Sequence, residues 1–232
     1  ACDHYNRFRE DFDIAKTLGH NAHRFSIEWS RIEPEEGRFD EKEIEHYREV
    51  IQTLRERGIE PFVTLWHWTL PLWVRDQGGW ENKKTIFDFL KYCERIAGEF
   101  KDGVQYWMIL NEPEYWFGNA FGSKKFPVPQ NGLISGLKTY WHLVLAHKHA
   151  YRRLKAINSS FFVGVVESTG WIAPEFLRWV LHDFRNFLFP WLVRGYFDFF
   201  GLNYYRRTPL VGKNRGDVSE IGWEIYPEGL YK

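Results

Sequence analysis

Glu112 is the residue of this sequence best placed to move a proton. It stands in Met108-Ile109-Leu110-Asn111-Glu112-Pro113, where an apolar run stops at an amide, a carboxylate and a proline. The run Gln105 to Leu110 is apolar enough to be a strand buried on both faces, as strands of a parallel sheet are. Pro113 has no N–H to continue a ladder, so Glu112 falls at the strand's C-terminal end. A carboxyl walled there by Trp107, Tyr115 and Trp116 is expected to hold a raised pKa, which suits a general acid near neutral pH. Asn-Glu-Pro alone also serves as a plain strand-to-turn signal, so its chemistry depends on what surrounds it.

Similar apolar runs with polar or aromatic ends occur at Ala22 to Trp29, Pro61 to Trp68, Phe161 to Ser168 and Tyr196 to Tyr205. Amphipathic helices are expected between them. Asp40 with Glu43 makes a capping box before Ile44, Tyr47, Val50, Ile51 and Leu54, and Gly58 is placed to end that helix. Ile86, Phe89, Leu90, Cys93, Ile96, Ala97 and Phe100 form a second stripe, and further helices are expected at about 134–156 and 175–187. Strict alternation of this kind means a parallel sheet with right-handed crossovers. The strand-end residues Arg24, His67, Glu112, Ser168 and Tyr205 lie 37 to 56 positions apart, longer than the about 31 residues per unit of a minimal (β/α)8 barrel. The excess lies in the loops after Trp68 and Glu112, on the side where a barrel builds its site. The absence of a Gly-rich phosphate loop after the first strand counts against a nucleotide-binding open sheet.

The segments HRFSIEWSRI (23–32), EPFVTLWHWTLPLWV (60–74), GGW (78–80), LNEP (110–113), DFFGLNYY (198–205) and GWEIYPEGLY (222–231) occur in that order. As a set they resemble the retaining β-glycosidases of glycoside hydrolase family 1. The resemblance implies an α/β fold of the (β/α)8 TIM-barrel type, incomplete, with the family's strands two to six present. Position by position it implies that Glu112 is the general acid/base and that Asn111 holds the sugar 2-hydroxyl. Arg24 and Tyr205 are the implied contacts of the nucleophile carboxylate. His67, Trp68 and Asn203 are the implied sugar-binding residues. Taken singly, Arg24 reads equally as an ion-pair partner of Glu28, His67 as a core histidine and Tyr205 as packing with a polar tip.

A retaining glycosidase needs a second carboxylate about 5–5.5 Å from the first. In the family this is the Glu of a seventh-strand Glu-Asn-Gly, and no Glu-Asn-Gly occurs here. The expectation is therefore that this chain holds no nucleophile and that the first, seventh and eighth strands are missing from it. Glu167 is the least implausible substitute, ahead of Glu28, Glu224 and Glu228. A chain of this kind alone is expected to be weak or inactive. The alternatives are an incomplete barrel binding sugars or other rings without hydrolysis, or one part of a complemented or oligomeric glycosidase.

Lys plus Arg number 31 and Asp plus Glu 31, so no net charge draws the chain to nucleic acid or an anionic membrane. The aromatic fraction of 19%, with 12 Trp, fits both barrel packing and a site lined by sugar-stacking rings. Cys2 and Cys93 give no disulfide framework, and with no leader or membrane span read the location is expected to be cytoplasmic. His142, His147 and His149 lack zinc-motif spacing and are expected on a helix surface, so neither metal nor cofactor is called for. The 232 residues read as a single domain. Its partners are expected to be a β-linked glycoside or oligosaccharide and, because the sheet would have two open edges, a second copy or a complementing segment.

Overall fold

Each apolar run of the sequence forms a parallel strand, and each amphipathic stretch covers the sheet from one side. A computed structural model describes residues 2–122, 132–173, 183–209 and 216–231. In chain order the elements are α1 (His4–Thr17), β1 (Ala22–Ser26), α2 (Trp29–Ile32), α3 (Glu41–Glu56), β2 (Glu60–Trp66), α4 (Leu72–Asp76) and α5 (Lys84–Glu99). They continue as β3 (Tyr106–Asn111), α6 (Pro113–Phe117), α7 (Leu133–Ile157), β4 (Phe162–Ala173), α8 (Asp183–Leu192) and β5 (Phe199–Pro209). The strands lie in the order β1-β2-β3-β4-β5, every neighbouring pair parallel. Sequential order in a curled parallel sheet with helical crossovers is that of a partial (β/α)8 barrel.

The capping box before α3 forms by half. The Asp40 carboxylate accepts the Lys42 and Glu43 amides, but the Asp40 amide donates to Ile32 O at 2.8 Å. The Glu43 carboxylate is drawn away by the Tyr5 hydroxyl, 2.8 Å distant. Gly58 ends the helix at φ 64°, a conformation open to glycine without strain. Helix α1 was not expected from the sequence. Only Phe8, Phe12 and Ala15 of it are buried, a stripe too narrow to stand out from its charged neighbours, and it packs on Val50, Leu54 and Ile59.

The last two elements also differ from expectation. Helix α8 reaches Leu192 through Pro190, a residue that normally marks a stop, while positions 175–182 of the expected helix lie outside the described residues. Strand β5 begins at Phe199 rather than Tyr196. Asp198 closes the turn before it, accepting the Val163 amide at 2.9 Å and pairing with Lys155 at 2.9 Å.

The two faces of the sheet have different contents. Trp107, Val163 and Val165 face the helices and join Phe89, Cys93, Ile96, Leu143 and Val144 in the main core. On the concave face Phe62, Tyr106 and Phe162 stack at centroid spacings of 4.3 and 5.3 Å, with the Phe199 ring edge-on to Phe62 and Tyr106. Gly164 makes this possible, since a Cβ there would collide with the Phe199 ring. Tyr92 of α5, fully buried, places its hydroxyl 2.9 Å from Ile27 O and 3.0 Å from Leu65 O, pinning the helix under the ends of β1 and β2. Tyr92→Phe removes this donor from a dry site and is expected to cost about 1–2 kcal/mol in urea unfolding. A variant as stable as the native chain would show that the hydroxyl does not tie the layers.

Candidate active site

The candidate site is built at the C-terminal ends of the strands. Strand β3 carries a bulge against β4, where Met108 and Asn111 pair with Gly164 and Val166, three steps against two. The extra residue turns Asn111 to the side occupied by Arg24. Immediately after it Glu112 adopts φ 46°, a left-handed conformation costing a non-glycine residue about 1–3 kcal/mol. The strain is held by Glu112 N donating to Val166 O at 2.8 Å and Trp116 N donating to Glu112 O at 2.9 Å.

The Glu112 side chain is 3% exposed. Its Oε1 accepts from Asn203 Nδ2 at 2.5 Å and from the Tyr205 hydroxyl at 3.3 Å. Burial pushes its pKa above the ordinary carboxylate value, and the hydrogen bonds from Asn203 and Tyr205 and the charge of Arg24 oppose that only in part. The raised pKa expected from the sequence is present and has the expected cause, burial, but two of the three rings expected to wall it lie elsewhere. Trp107 faces the helical layer against Phe161, and Trp116 packs on Trp66. Tyr115 stacks on Trp68 at 5.7 Å.

Arg24 spans the mouth. Its Nε donates to Thr64 Oγ1 at 3.0 Å, Nη1 to Asn203 Oδ1 at 3.2 Å and Nη2 to Asn111 Oδ1. Every one of these acceptors is neutral, and burial lowers its pKa while Glu112 and Tyr205 act to raise it. The alternative ion pair with Glu28 is not formed, because Glu28 caps α2 through Ser30 and accepts from Thr69 at 2.7 Å. Among the described residues no carboxylate lies within ion-pair distance of Arg24.

His67 joins the same network. Its Nε2 lies 3.2 Å from Asn111 Nδ2, which can only donate, so Nδ1 carries the proton and donates to Ser26 Oγ at 2.9 Å. Burial, then Arg24, lowers the His67 pKa and favours this neutral form. Trp68, at φ 80°, donates its indole N–H to Asn111 O at 2.8 Å. Tyr205 is 54% exposed, with its ring edge-on to Trp223 at 5.7 Å.

All seven residues singled out in the sequence therefore meet in one network. Ser26 and Thr64 were missed, though period-two alternation would have placed them on the same face as Arg24. The other carboxylates are elsewhere. Glu167 is buried mid-strand, with Tyr140 and Glu114 as near neighbours on the helical side, which removes it as a substitute nucleophile. Glu224 is buried in an ion pair with Arg207 at 3.1 Å, and Glu228 is exposed. His142 and His147 are core residues rather than surface ones, bonded to Trp80 O and Tyr196 O, and burial takes the His147 pKa down to about 4.

Residues 1–177 match the sequence model of glycosyl hydrolase family 1. The chain belongs to this family. It is 32% identical to β-glucosidase A of Thermotoga maritima and to a 1,4-β-D-glucan glucohydrolase of Thermotoga neapolitana, covering all of this chain and 63% and 66% of those proteins. The T. maritima β-glucosidase solved with cyclophellitol superposes with a TM-score of 0.89 at 31% identity, over 99% of this chain and 62% of that one. The AHE enzyme of Alicyclobacillus herbarius superposes at 0.87 with 28% identity. The chain thus spans a little under two thirds of the length of the proteins it matches. Its alignment to the T. maritima protein runs over 284 positions against 232 residues here, so that relative carries insertions within the shared part.

The raised Glu112 pKa sets a pH dependence of stability. Because the folded value lies above the ordinary 4.5, the stability carried by the neutral form is intact below that value and is lost as pH rises through the folded value. Glu112→Gln, which keeps an oxygen acceptor and cannot ionise, is expected to gain melting temperature relative to the native chain as pH rises from the ordinary 4.5 through the folded value. A difference that stays flat with pH would show that Glu112 titrates as an ordinary carboxylate.

Proposed function

We propose that this chain carries the acid/base half of a retaining β-glycosidase acting on β-linked glycosides or oligosaccharides. The observation that carries the reading is Glu112, buried at a barrel strand end, raised in pKa and held by Asn203 and Tyr205. A neutral carboxylic acid there can protonate the departing glycosidic oxygen, and the carboxylate left behind can then deprotonate the water that ends the cycle. Asn111, fixed by Arg24, His67 and Asn203, is suited to the sugar 2-hydroxyl, where hydrogen bonds strengthen as an oxocarbenium-like transition state forms. His67 and Trp68 border the same space and are suited to the hydroxyls and the face of the ring.

Arg24 supports the second half of the reading. A guanidinium given only neutral acceptors favours an incoming anion, and the nucleophile carboxylate is the anion this mechanism requires. Tyr205 OH lies on Glu112 in this structure, so its contact with a nucleophile belongs to the assembled site. The second carboxylate is supplied by a complementing segment seated on the sheet edges. The names of the relatives favour β-glucosides as substrates.

A preparation verified by mass as Ala1 to Lys232 is expected to hydrolyse an aryl β-glucoside at least about a thousandfold more slowly than a full-length relative, since losing one member of a catalytic group leaves only residual catalysis. Where a complementing segment restores turnover, Glu112→Gln should abolish it for poor leaving groups and spare glycosylation by activated ones. Normal turnover by the verified 232-residue chain, or equal loss on both substrate classes, overturns the reading.

A further inference from the structure

Glu114, two residues beyond Glu112, reaches into the helical layer. Its Oε1 accepts the Tyr140 hydroxyl of α7 at 2.9 Å and the Phe189 amide of α8 at 2.6 Å. Behind the same turn Glu167 of β4 is 1% exposed, with one carboxyl oxygen lacking a hydrogen-bond partner among the described residues. Neither carboxyl takes part in the chemistry assigned to the mouth of the sheet. The left-handed conformation of Glu112 persists only where its surroundings over-determine it, and the short helix α6 that follows makes too few bonds of its own to do so.

We propose that Glu114 is the positioning residue for Glu112, tying α6 to α7 and α8 so that the strained turn cannot relax and release the Glu112 carboxyl to solvent. The inference rests on the reading of Glu112 as the acid/base. Four bonds along the chain separate the two tasks: Glu112 N is anchored to β4, Glu112 O receives Trp116 N, and between them Glu114 is fastened to the outer helices by the Tyr140 hydroxyl and the Phe189 amide. Glu114 and Glu167 have different surroundings. Glu114 has a hydroxyl and an amide as donors, whereas burial, then Glu114 and Glu112, push the Glu167 pKa up and keep it neutral. Tyr140 stays protonated, its pKa raised by burial and by Glu114, and so remains a donor. The titratable groups facing Glu114 and Glu112 among the described residues are Tyr140 on α7, Glu167 on β4, Arg24 on β1 and Tyr205 on β5.

The test is a carboxyl-carbon NMR titration of the 232-residue chain, with Glu112→Gln identifying the Glu112 signal. Glu114→Gln keeps an oxygen for both donors and is expected to leave the Glu112 midpoint in place. Glu114→Leu removes the acceptor, and the midpoint should fall by about one unit toward the ordinary carboxylate value. Tyr140→Phe removes one of the two donors and should produce a smaller fall in the same direction. Hydrogen exchange at the Trp116 amide should accelerate about tenfold in Glu114→Leu and not in Glu114→Gln, the effect of about one lost hydrogen bond. An unmoved Glu112 midpoint in a folded Glu114→Leu, or an equal shift in Glu114→Gln, overturns the proposal. Should Glu114→Leu not fold, an unmoved midpoint in Tyr140→Phe overturns it. Neither readout uses glycosidase turnover, so failure of the acid/base reading and failure of this inference are separate results.

Discussion

One guanidinium joins the two ends of the sheet. Arg24 stands on β1 and donates to Asn203 on β5, having also engaged Thr64 on β2 and Asn111 on β3. In a flat sheet, strands first and fifth in order would lie about 19 Å apart, beyond the reach of any such bond. The contact therefore requires the sheet to curl, and the curl is what gathers the strand ends into one site. Arg rather than Lys is needed here, because the bonds run from separate nitrogens of one planar fork. The strain at Glu112 and the bulge before it depend on the same closure, since each aims a side chain at the space Arg24 spans.

Electrostatics then divide the site into two unlike halves. Glu112 is a carboxyl whose pKa burial raises, and Arg24 is a cation whose close acceptors are all neutral. A cation so placed lowers the energy of an anion brought near it, while the raised Glu112 keeps a proton available beside it.

Much of this was legible in the sequence because strands β2, β3 and β4 are runs of Val, Ile, Leu, Phe and Trp that have no other stable home, and because family motifs name the residues at their ends. What escaped notice was set by tertiary context. Helix α1 buries only three residues, and its amphipathic signal is swamped by charge. The Tyr196 run is rich in aromatics, yet Asp198 is claimed by the Val163 amide and Lys155, which delays β5 until Phe199. Trp107 was misplaced because the bulge between Met108 and Asn111 cannot be seen in a sequence and changes which alternate residues share a face with Asn111. Glu167 ends an apolar run in the same manner as Glu112, but it sits mid-strand and faces the helices, a distinction of facing that spacing alone does not make.

The most direct test of the account is the coupling between the two edge strands through Arg24. A double-mutant cycle of Arg24→Lys and Asn203→Ala, read by urea unfolding of the 232-residue chain, is predicted to give a coupling of about 1 kcal/mol or more, as expected for residues in one hydrogen-bond network. Additivity within about 0.5 kcal/mol would mean that β1 and β5 do not meet at the mouth, and would contradict the curled sheet on which the site depends.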